Sequence, residues 1–118
     1  MRRNVTLKSE GVTDVTEPQW FAVRCIFHHA ALETYEERIT LWQAESVDNA
    51  IAHAEREAAD YAADLADVRY LGLAQAFNVF DEPGNGIEVF SLMRDSALDP
   101  DSYLTRFFDT GNERQIQR

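Results

Sequence analysis

The sequence predicts an α+β domain of order ββαββα, with an antiparallel sheet of about four strands and two helices on one face. Three observations carry that expectation. Two pairs of aromatic and β-branched segments lie within hairpin distance, at residues 19–44 and 70–94. Each pair is followed by helix-opening residues, Ser46 in the first case and Asp99-Pro100 in the second. Helices interspersed with antiparallel hairpins are expected to gather over one face of the sheet.

Residues 1–18 read as a flexible N-terminal tail. Ser9-Glu10-Gly11, Thr13-Asp14 and Thr16-Glu17-Pro18 are polar breakers with no sustained apolar period. A first strand follows over residues 19–29, with Phe21, Val23, Cys25 and Phe27 on one side and Trp20, Ala22, Arg24 and Ile26 on the other. A second runs over residues 35–44, with Ile39 and Leu41 on one face and Thr40, Trp42 and Ala44 on the other. The five residues 30–34 suit a hairpin link.

The first helix is capped by Ser46 and carries Asp48 in its first turn, where the helix dipole favours an acid. Val47, Ile51, Ala54, Ala58, Tyr61 and Leu65 then recur at steps of three and four, one continuous stripe. Its central alanines let the axis lie close to a sheet. Residues 70–80 read as a strand with Leu71, Leu73, Phe77 and Val79 on one face. The cluster Asp81-Glu82-Pro83-Gly84-Asn85-Gly86 is a turn, and residues 87–94 are expected to return as the second strand of a hairpin. Asp99 as cap, with Pro100 at the first helical position, starts a short helix through about residue 108. Tyr103, Leu104, Phe107 and Phe108 are its residues to bury. The domain thus spans residues 19–110, and residues 111–118 form a polar C-terminal tail.

The 118 residues make one domain. Their formal net charge is −10, and the basic side is ten arginines against the single Lys8. Such a chain repels phosphate backbones, so nucleic acid is not expected as a direct partner. No apolar run reaches the ~20 residues of a membrane helix, and no apolar stretch follows the basic start as a secretory signal would require. With one cysteine there is no internal disulfide. A cytoplasmic location and no membrane association are the expectations.

Catalytic or cofactor chemistry finds little support. His28 and His29 are adjacent in a strand and point to opposite faces, so they cannot chelate one ion together. Cys25 lies in the core row of its strand, where structural cysteines outnumber nucleophiles. Asp60 and Asp64 share an exposed helix side. Gly84-Asn85-Gly86 is turn chemistry rather than a phosphate loop. No catalytic residue, metal or cofactor is assigned.

A half-solvated strand should alternate between apolar and polar residues. The segments here are apolar on both sides, which leaves one sheet face in excess of what two helices can cover. Parity allows Arg24 beside Trp20, Arg38 beside Trp42, and Arg94 beside Phe90 and Leu92. If those rows share a face, Trp20, Arg24, Arg38, Trp42, Phe90, Leu92 and Arg94 form an Arg- and Trp-rich partner-binding surface. The same arginines could hold a small anionic ligand as a binding protein or enzyme. They could equally pair with acids such as Glu36, Glu37 and Glu88 across strands.

Three stretches carry a resemblance: Tyr35-Glu36-Glu37-Arg38-Ile39-Thr40-Leu41-Trp42, Tyr70-Leu71-Gly72-Leu73-Ala74-Gln75-Ala76-Phe77 and Glu88-Val89-Phe90-Ser91-Leu92-Met93-Arg94-Asp95-Ser96. Over about residues 19–110 the chain resembles small bacterial proteins, common in actinomycetes, grouped as domain of unknown function 4288. The resemblance implies a bacterial cytoplasmic protein and transfers no catalytic residues. The functional expectation is a non-enzymatic acidic interaction module that self-associates as a homodimer or binds a protein partner through the uncovered face. One version is an immunity-type inhibitor that plugs a basic toxin.

Overall fold

The computed structural model describes residues 3–7 and 17–115. Its elements are β1 (Arg3–Leu7), β2 (Gln19–His29), β3 (Thr34–Ala44), α1 (Val47–Ala63), β4 (Val68–Asn78) and α2 (Pro100–Phe107). The sheet order is β1-β4-β2-β3. β2 is central and antiparallel to both β3 and β4, while β1 runs parallel along the outer side of β4. The fold is α+β, built on three antiparallel strands.

This order departs from ββαββα in two places. Arg3–Leu7, within the stretch expected to be a tail, forms a strand, while residues 1–2 and 8–16 of that stretch lie outside the described residues. Residues 87–94 form no strand. The physical reason lies at both edges of β4. Its free side is occupied by β1, so a returning strand has no ladder to join there. The chain also turns sharply after Asn78, whose side-chain oxygen accepts from the Phe80 N–H at 2.9 Å, and Phe80 takes a φ of 72°. It then crosses the sheet face instead of lying beside it.

α1 covers the other face. Ser46 accepts from the Asn49 N–H at 3.1 Å, closing its first turn. Its buried residues are Ala50, Ile51, Ala54, Ala58 and Ala62, packed on Phe21, Val23, Cys25 and Phe27 of β2 and Ala74 and Ala76 of β4. Small side chains on both sides bring the helix close over the central strand. Long side chains then close the two flanks. Arg38 of β3 donates to Glu57 at 2.9 and 3.3 Å, and the Tyr70 hydroxyl of β4 donates to Glu55 at 2.7 Å. The two glutamates straddle the helix like outriggers.

β4 bulges where the pairing shifts between Cys25 and Phe27, and Gly72 sits there with a φ of 79°. A left-handed residue inside a strand is suited to glycine, and the residues the bulge adds set Tyr70 opposite Phe27 while Ala74 stays opposite Cys25. α2 buries none of its residues, so the helical cover described for the sheet is that of α1.

Candidate interaction surface

The β2–β3 ladder decides which side chains share the second face. It pairs His29 with Thr34 and Gln19 with Ala44, so the link is four residues, not five. One residue of slip turns every side chain of a strand over. Arg24 therefore lies opposite Ile39, Cys25 opposite Arg38, and Phe21 opposite Trp42. Arg38 and Trp42 belong to the α1 face, and Trp20 and Arg24 to the other. The proposed seven-residue patch is thus divided by the sheet.

On the α1 face, Arg38 stacks on the Tyr61 ring with its guanidinium carbon 3.9 Å from the centroid, besides its bonds to Glu57. Trp42 stacks on His53 at 5.9 Å and donates its indole N–H to Thr40 at 2.6 Å. Glu36 accepts from the Tyr61 hydroxyl at 2.8 Å and lies 2.8 Å from His29 Nε2. Burial pushes the Cys25 thiol up to about 11, partly offset by a hydrogen bond with Tyr70. A thiol so protected is neutral in ordinary conditions, which suits packing and not nucleophilic attack. This polar network fixes the helix to the sheet.

On the second face, the chain after β4 supplies its own cover. Ile87 and Phe90 pack on Ala22, Phe77 and Val79, beside Trp20. Phe90 lies 6.1 Å from the Phe77 ring and receives the Arg24 guanidinium at 5.0 Å. Arg24 is tied down by Gln75 at 2.8 Å and Glu37 at 3.3 Å. Leu92 is half-buried in the same segment, whereas Arg94 lies beyond it, bonded to the Tyr103 hydroxyl at 2.9 Å and stacked 4.3 Å from Phe107 of α2. The three arginines do not converge on one pocket. No group of three or more His, Cys, Asp or Glu is placed to hold a metal ion among the described residues.

Cover stops at β3. Tyr35, Ile39 and Leu41 remain 65%, 46% and 39% exposed on the second face, a row at every second or fourth residue. Leu104 and Phe107 of α2 and the following Phe108 are also exposed. The row lies on the face opposite Trp42, and its sequence signal is the alternation of Tyr35, Ile39 and Leu41 against Glu36, Arg38 and Thr40. Among the described residues, no helix is long and apolar enough to cross a membrane. No family model, curated protein or solved structure matches the chain.

Proposed function

We propose that the protein is a non-enzymatic acidic interaction module of the bacterial cytoplasm, in keeping with the family it resembles, and that it works through the β3 side of its second sheet face. The observation that supports this reading is the exposed row Tyr35, Ile39 and Leu41. Monomeric proteins seldom leave large apolar side chains contiguous in solvent without a use for them. Trp20, Arg24, Phe90 and Leu92 support this surface from within, and the partner meets β3 itself. Self-association and a protein partner both fit, including a basic toxin neutralised by a chain of net charge −10.

The test is light scattering of the protein alone, together with calorimetric titration against the proteins encoded beside it. Both are repeated with Ile39→Lys/Leu41→Lys. Association or binding that disappears in the variant, with an unchanged melting temperature, is the expected result. A wild type that neither associates nor binds, or a variant that does so equally well, overturns the reading.

A further inference from the structure

We propose that the partner is a second copy of this chain, joined edge to edge through β3 about a twofold axis at Thr40, so that two sheets become one. This deepens the interaction reading above and rests on it. β3 ends the sheet order and no strand pairs with its outer side among the described residues; residues 112–115 lie beside its start, where Arg114 donates to Thr34 at 3.3 Å, and leave residues 38–44 clear of that segment. It is 11 residues long, with no proline, glycine or shift in its ladder. Proteins blunt such an edge with prolines, bulges, charges or covering segments, because its unpaired N–H and C=O groups are a template for another strand; here the charges, Glu36, Glu37 and Arg38, fall in the first half of β3 and residues 39–44 carry none.

The side chains select one register. Antiparallel pairing about Thr40 keeps both copies of α1 on the same side of the joined sheet. It sets Ile39 opposite the partner's Leu41, Arg38 beside the partner's Trp42, and Glu37 opposite the partner's Gln43, each contact occurring twice by symmetry. The pairs are apolar with apolar, cation with aromatic ring, and carboxylate with amide. Moving the axis to Ile39 places Glu37 against the partner's Leu41 and Glu36 against the partner's Trp42. Moving it to Arg38 or Glu37 puts like charges face to face, which destabilises a pair. Registers that shift by one residue would carry the apolar row of one copy onto the α1 side of the other. Only the axis at Thr40 aligns Ile39 and Leu41 with their counterparts and faces no charge with its like.

Directly opposed residues in such a ladder have Cα atoms roughly 4.5–5.5 Å apart, within the roughly 4.4–6.8 Å that a disulfide spans. Thr40→Cys is therefore expected to cross-link to its own counterpart on mild oxidation, while Leu32→Cys, exposed in the turn before β3, is not. The native Cys25 is only 4% exposed and contributes no background. Wild-type protein in light scattering is expected at twice its 13.5 kDa. A dimer in which Thr40→Cys cross-links no faster than Leu32→Cys overturns the proposed edge. A monomer across the concentration series overturns the dimer, and if it still binds another protein through Ile39 and Leu41 the interaction reading stands. A monomer that binds nothing removes both. The wild-type mass needs no variant to fold.

Discussion

At the scale of single residues, the α1 face is held by polar side chains whose protons and charges can be tested one at a time. Burial raises the Cys25 thiol from 9.0 to about 11, and burial together with Glu55 raises the Tyr70 phenol in the same direction. Both groups hold their protons more tightly when folded than when unfolded. The Cys25 contribution is complete below pH 9 and is lost as pH climbs towards 11, whereas that of Tyr70 begins to be lost only above pH 10 and outlasts it. Urea midpoints are expected to fall over that window, and Tyr70→Phe to fall less steeply in its upper part. At neutral pH, iodoacetamide is expected to label Cys25 only after unfolding. Arg38 offers a second test, since it combines a two-point bond to Glu57 with a ring contact to Tyr61. Arg38→Ala is expected to cost about 1–2 kcal/mol in urea unfolding, and Glu57→Ala less, because only the arginine loses a cation–π contact as well.

Elements reveal where local sequence speaks and where it is overruled. Gly72 sits inside β4 at a φ that a β-carbon resists, so Gly72→Ala is expected to lower stability by about 1–3 kcal/mol. Phe107→Ser is expected to cost about 1 kcal/mol in the monomer, because Phe107 is 39% exposed yet stacks on Tyr103 and Arg94. Thermal or urea unfolding of the two variants side by side checks both. The bounds of β2 and the capped start of α1 were legible, since alternation, a serine cap and a three-four stripe are local signals. The interior role of Cys25 followed from the same alternation. Two features were not legible. The hairpin link is four residues because Ala30–Leu32 forms a 3-10 turn closed by Glu33 at a φ of 51°, and no glycine or asparagine marks that turn. That one residue moved Arg38 and Trp42 off the face where Arg24 and Trp20 lie. The segment 87–94 has strand-like composition, yet its expected place beside β4 is taken by Arg3–Leu7, a competition between distant parts of the chain that no local window contains.

For the whole molecule, the unexplained surplus of apolar surface shrinks to a strip. The chain covers most of its second face with Ile87 and Phe90 and leaves β3 and α2 open. Net charge then separates the two kinds of partner that could fill the strip. Two copies each carrying a formal −10 repel one another beyond their contact, and salt screens that repulsion over a length of about 10 Å at 0.1 M. Apolar and backbone contacts along β3 are scarcely weakened by the same salt. A dimer joined at this edge is therefore expected to tighten as salt rises, its dissociation constant falling by about threefold to tenfold between about 0.01 and 0.15 M. A basic partner would behave oppositely, since its attraction is what the salt would screen. Sedimentation equilibrium over that range, with the Ile39→Lys/Leu41→Lys variant beside wild type, reads the sign directly. Association that weakens with salt would place the binding energy in opposite charges and not in the strand edge.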